Sequence, residues 1–188
     1  MWQLIAYIVA YAVLLGAHPS EVSENLSYQY YQVNAQEDEP LITQMLAVSP
    51  VIENGCIYVA NTTWNVQWRF DWKANDHGEC VVTDSSTRLD VVITLPELQG
   101  GSERQKEAFN RYREALRRHE LNHYRMAAEA AHKIDDDLKN LPKMKSCQAL
   151  ESYANKISQS TLERYNEKNR EYDRDTKHGQ LEGAWTDI

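Results

Sequence analysis

Between Ala108 and Leu138 apolar side chains recur at steps of three and four residues, and that period commits the segment to a single long amphipathic helix. Ala108, Phe109, Tyr112, Ala115, Leu116, Met126, Ala127, Ala130, Ile134 and Leu138 make its apolar stripe, and His119 and His123 fall within it. Arg104, Lys106, Arg111, Arg118, Arg125 and Lys133 occupy the opposite face, as on a half-solvated helix. Ser102 followed by Gln105 reads as a capping box, which fixes where the helix starts. A stripe this long has to be covered by another layer, so the rest of the chain must supply one.

The residues ahead of the helix have the period of strands. Trp64, Val66, Trp68, Phe70 and Trp72 alternate with Asn65, Gln67, Arg69 and Asp71, which predicts a strand with one buried and one wet face. Leu89, Val91, Ile93 and Leu95 repeat the alternation and are expected to stop at Pro96. A shorter strand, Cys80 to Thr83, is expected between the turn sequences Asn75-Asp76-His77-Gly78 and Asp84-Ser85-Ser86. Tyr28 to Val33 and Cys56 to Ala60 are candidate edges. A second helix is expected from Ser146 to about Glu171, with Leu150, Tyr153, Ala154, Ile157 and Thr161 on its inner side. The fold class is therefore α+β: a small, mostly antiparallel sheet packed against a long helix and a second, C-terminal helix.

At 188 residues the chain fits one compact domain. Lys plus Arg is 20 and Asp plus Glu is 28, a net charge of −8, so nothing invites nucleic acid or an anionic membrane. Trp2 to Leu15 is nearly all apolar and ends in Gly16-Ala17, the pattern of an export signal too short to span a bilayer comfortably. Residues 1–17 are assigned to that signal and 18–188 to the domain, with no stable membrane span after its removal; an uncleaved anchor is the alternative. Three cysteines permit one disulfide and leave one thiol over. Cys80 with Cys147 is the favoured pair, leaving Cys56 free; three buried reduced thiols are the alternative.

His119-Glu120-Leu121-Asn122-His123 carries the chemistry. Positions four apart share a helical face, so both imidazoles can grip one ion, as in the zinc hydrolases. Glu120 is rotated about 100° from His119 by the helical period, clear of the metal but beside a water on it, where a general base belongs. Burying two imidazoles without metal or other partners would be costly.

A zinc site needs a third protein ligand. Met126 and Glu129 stand where a ligand following closely on the motif would need Gly and His, and the alanines around them keep the helix going. Glu129 then points away, and His132 is out of phase and faces solvent. His178, in Tyr172-Asp173-Arg174-Asp175-Thr176-Lys177-His178-Gly179, is the leading candidate, since Gly179 permits a tight turn beside the ion. Asp173, Asp175 and Thr176 are groups of the kind that orient a metal-bound imidazole, and Tyr172 offers a hydroxyl to a developing oxyanion. Glu151 on the second helix is the alternative ligand.

Taken together, the Thr63-Trp64-Asn65-Val66-Gln67-Trp68 strand, Cys80-Val81-Val82, Ile93-Thr94-Leu95-Pro96, the HExxH helix, Cys147-Gln148-Ala149-Leu150 and the YDxxTxHG stretch resemble the bacterial predicted secreted Zn-dependent proteases, a family long catalogued as a domain of unknown function. The resemblance spans about Tyr28 to Ala184. It implies a secreted or periplasmic zinc metallopeptidase acting on a peptide or protein, with His119, His123 and His178 as ligands of Zn²⁺, Glu120 as base and Tyr172 as the motif tyrosine. Two other readings stay open: a noncatalytic, zinc-stabilised envelope module, and a metal-free binding domain in which the histidines only pack.

Overall fold

The structure is a computed structural model and describes residues 22–37 and 39–186; the signal-like segment 1–17 lies outside the described residues. In chain order the elements are β1 (Val22–Asn34), α1 (Leu41–Val48), β2 (Val51–Glu53), β3 (Cys56–Tyr58), β4 (Asn61–Ala74), β5 (Cys80–Gln99), α2 (Glu103–Lys139), α3 (Cys147–Thr176) and a short 3₁₀ turn, Gln180–Glu182. The architecture is α+β, as the change of period from strands to helices predicts.

β5 is the middle of a three-stranded sheet of order β1-β5-β4. β4 pairs with it antiparallel, and β1 pairs with it parallel. The antiparallel hairpin β2–β3 stands apart as a second small sheet. Leu89, Val91, Ile93 and Leu95 point to one face of β5 and are at most 1% exposed. Burial of each such side chain is worth about 1.5–3 kcal/mol, and α2 provides the cover with Ala108, Phe109, Tyr112, Ala115, Ala127, Ala131 and Ile134. The α2 start is fixed as expected: the Ser102 side chain accepts from the Gln105 amide while the Gln105 side chain accepts from the Ser102 amide.

Three features depart from the expected strand plan. Asp84-Ser85-Ser86 does not turn, and Pro96 does not end a strand; both lie within the single strand β5. The polar run is accommodated by an irregularity, since pairing with β4 shifts register between Asp71 and Trp72. Pro96 is tolerated because β4 pairs with β5 only as far as Thr94, so beyond it β5 has β1 alone as a neighbour and one side of the strand needs no donor. The expected edge at Tyr28 to Val33 is real but longer and parallel, which alternation of side chains does not reveal.

Cys80 at the start of β5 and Cys147 at the start of α3 form a disulfide, and Cys56 is free and exposed. A two-way backbone pairing of Cys80 with Met144 lies beside the bridge, so the loop after α2 is tied to the strand at that point. No helix among the described residues is long and apolar enough to cross a membrane.

Candidate metal centre

α2 presents His119 and His123 from adjacent turns of its buried face, and α3 crosses them with Asn169, Tyr172 and Asp173. His119 Nε2 lies 3.1 Å from Asp173 Oδ1, His123 Nε2 lies 2.9 Å from the same oxygen, and the two Nε2 atoms are 3.2 Å apart. Among the described residues these three side chains form a group whose donor atoms could hold one metal ion. Ligands about 2.0–2.1 Å from a tetrahedral ion stand roughly 3.3–3.4 Å apart, close to the separations found.

The outward nitrogens explain which way the lone pairs face. His119 Nδ1 is 2.8 Å from the Glu182 carboxylate, an acceptor, so Nδ1 carries the proton. His123 Nδ1 is 2.6 Å from Asn169 Oδ1, and the Asn169 amide nitrogen donates to the Tyr165 carbonyl, which fixes the amide orientation. Both neutral rings therefore turn unprotonated Nε2 atoms toward Asp173 Oδ1. Three electron-rich atoms meeting in a buried place call for a cation between them. Without one, protons take that role. Burial alone would depress both imidazoles, but the hydrogen bonds that the protonated rings donate to Asp173, and at His119 also to Glu182, outweigh it and hold both above their ordinary value. Burial would lift Asp173, yet its contacts with the two histidines hold it well below the usual carboxylate range.

Glu120 is buried beside the pair, and burial pushes its carboxyl above the ordinary range. Thr62, near the start of β4, places its hydroxyl 2.7 Å from Glu120 Oε2 and 3.1 Å from the Glu120 carbonyl. Glu120 is thereby fixed from the sheet side while the ligand pair is fixed from α3. His119, Glu120, His123 and Asp173 all line one cavity of about 750 Å³, walled by α1, the β2–β3 hairpin, the start of β4 and the segment after α3.

The expected site residues are thus only partly brought together. His178 is not in the converging group; its Nδ1 stands 3.5 Å from Asp173 Oδ1, and its side chain is 53% exposed. Asp173 occupies the third position because α3 runs to Thr176, five residues past the expected end, and keeps Asn169 and Asp173 on one helical face. Glu151 sits near the start of the same helix, roughly 33 Å away along its axis. The Tyr172 ring stacks on His119 with centroids 4.8 Å apart. Its hydroxyl accepts from Asn122 and donates to Glu182, and burial pushes it up to about 12, so it stays a donor. A chain Asn122–Tyr172–Glu182–His119 results, which orients the first imidazole.

Backbone shape completes the site. Lys177, His178 and Gly179 are left-handed in succession, with φ of 51°, 52° and 79°. For a non-glycine residue that conformation costs about 1–2 kcal/mol, and here it brings the chain across the His119 ring. A Cβ on Gly179 would lie 3.0 Å from His119 Cγ, so only glycine fits without displacing the ligand. The sequence alone does not single out Glu182, Asn169 or Thr62. Asn169 and Asp173 repeat the spacing of His119 and His123, a signal that becomes readable once the helix is carried past Tyr172.

Residues 28–179 match a family described as bacterial protein of unknown function (DUF922). Comparison with curated proteins and with solved structures gives no match. Because the matched residues are well over half of the chain and run from β1 to the glycine packed on His119, the protein belongs to the DUF922 family of bacterial proteins.

Proposed function

We propose that this protein is an exported zinc-dependent peptidase of the HExxH type. The observation that carries the reading is the meeting of His119 Nε2, His123 Nε2 and Asp173 Oδ1, with Glu120 buried on the adjoining turn beside the same cavity. Two imidazoles and a carboxylate leave a position open on zinc, the pattern of catalytic rather than closed structural sites. A zinc ion bound there supplies a Lewis acid that acidifies a water and polarises a carbonyl.

The chain's own groups do the rest. Glu120 takes a proton from the attacking water as its oxygen bonds to the scissile carbonyl carbon, and gives that proton to the departing amine as the C–N bond breaks. Burial lifts its carboxyl, the Thr62 hydroxyl and the two histidines counter that, and a cation held by His119, His123 and Asp173 would lower it further. Thr62 holds the carboxylate in place, and Tyr172 acts through Glu182 as a positioning residue rather than from the cavity wall. The Cys80–Cys147 disulfide supports an oxidising compartment, secreted or periplasmic.

Elemental analysis of the purified protein, with Glu120→Gln beside the wild type and casein as substrate, tests the reading. Both proteins are expected to hold one zinc, and the variant to lose hydrolysis by at least about a hundredfold. Equal turnover would remove Glu120 from the reaction. Iron in place of zinc would move the site to non-haem iron chemistry, which uses the same two-histidine, one-carboxylate set.

A further inference from the structure

We propose that His178 is a further catalytic residue, a hydrogen-bond donor to the oxyanion that forms as the scissile carbonyl is attacked. The proposal rests on the peptidase reading and gives His178 a task other than metal ligation. Four observations lead to it. The ring lines the same cavity as His119, Glu120 and Asp173. It lies just outside the donor group, its Nδ1 3.5 Å from the Asp173 oxygen on which both ligand histidines converge. Its side chain is 53% exposed, against 2% and 8% for His119 and His123, so it faces the space a substrate would enter. Among the described residues its ring makes no hydrogen bond, only the long ion-pair contact of Nδ1 with Asp173, and Nε2 has no partner, whereas each ligand histidine has both nitrogens engaged.

The ring is nevertheless held. It packs against Tyr58 of the β2–β3 hairpin with centroids 4.8 Å apart, and its own amide donates to the Asp173 carbonyl at 2.8 Å. The left-handed backbone at Lys177 and His178 is what turns the ring back over the end of α3 toward the site. An imidazole fixed by its backbone, by one ring face and by the contact of Nδ1 with Asp173, with Nε2 uncommitted, is organised to meet charge that develops in the reaction. No bond to His178 forms or breaks; it donates a hydrogen bond and keeps its proton.

The test uses His178→Asn and His178→Gly, since both residues accept a left-handed backbone and preserve the turn. Zinc content is measured first. The zinc-loaded proteins are then titrated by calorimetry with a phosphinic tripeptide, whose tetrahedral anion mimics the oxyanion, and with a matched thiol tripeptide that binds metal without one. Both variants are expected to keep one zinc and bind the thiol like the wild type, while phosphinic affinity and the rate on casein each fall about a hundredfold. Wild-type phosphinic affinity in both variants overturns the proposal. Loss of zinc overturns it also, by making His178 a ligand. A zinc-loaded wild type that neither cleaves casein nor binds the phosphinic peptide brings down the peptidase reading itself, and the proposal with it.

Discussion

The two halves of α3 are held by different physics. Its first half, from Cys147 to Thr161, contains every buried residue of the helix: Leu150, Ala154, Ser158 and Thr161. It is also covalently tied to β5 through Cys80. The second half, from Leu162 to Thr176, buries no side chain completely and is joined to α2 through Asn169, Tyr172 and Asp173. Apolar packing and a crosslink therefore anchor one end, and a polar cluster built around two histidines anchors the other. The difference teaches that order at the site end is conditional. Whatever binds between the histidines and Asp173 also binds the helix to its neighbour, so occupancy and local folding are linked.

The largest expected effect breaks the first half. Reducing the Cys80–Cys147 bridge, which closes a loop of 67 residues, should cost about 4 kcal/mol of global stability in the chain-entropy model. Urea unfolding with and without reductant measures it. A chelator should do the opposite, raising hydrogen exchange from Leu162 onward while leaving Leu150 to Ala154 protected. If reductant and chelator loosen the same residues, the two halves are not independent.

A smaller effect is expected at the orienting carboxylate. Glu182→Ala removes the acceptor on His119 Nδ1, and loss of such a partner lowers metal affinity about 10- to 100-fold, roughly 1.4–2.7 kcal/mol. Competition against a chelator of known affinity reads it. Unchanged affinity would show that Glu182 packs beside the site without tuning it.

The smallest effect is a reversal with pH. In the metal-free protein His119 and His123 titrate above their ordinary value of about 6.5. Their contribution to stability is fully present below that value and is lost as pH rises through the raised folded value. Asp173, held low, contributes above its ordinary value near 3.9 and loses that contribution only as pH falls. The metal-free protein should therefore melt at a lower temperature at pH 8.5 than at pH 6. Zinc binding needs neutral imidazoles, so the loaded protein should show the reverse order. Melting curves at the two pH values, with and without chelator, decide it.

Much of this was legible where local chemistry alone decides. The Ser102–Gln105 cap, the stripe on α2 and the alternation from Trp64 to Phe70 each follow from neighbours in sequence, and the structure contains them all. What was not legible depends on pairing at a distance. Pro96 reads as a strand end until its position beyond the reach of β4 is known, and nothing in Tyr28 to Val33 says that its partner runs parallel. At the site, His119, Glu120 and His123 were visible because one helix carries them at a fixed spacing. Asp173 reads as no more than an orienting group when the helix is expected to end near Glu171, because a loop gives no face on which to align it with Asn169. Glu182 carries no local signal at all; only the left-handed turn at 177–179 brings it to His119.

The separation of the partners along the chain has a consequence for how such a protein is made. His119 meets Asp173 and Glu182 across 54 and 63 residues. In a polypeptide synthesised from its N-terminus, the motif helix is complete long before the groups that neutralise and aim its histidines exist. A nascent chain therefore carries HExxH without the Asp173 and Glu182 carboxylates, and the group that could hold an ion is incomplete until α3 has been made and folded back. Completion of the cluster is thereby deferred to the end of synthesis by the order of the residues alone.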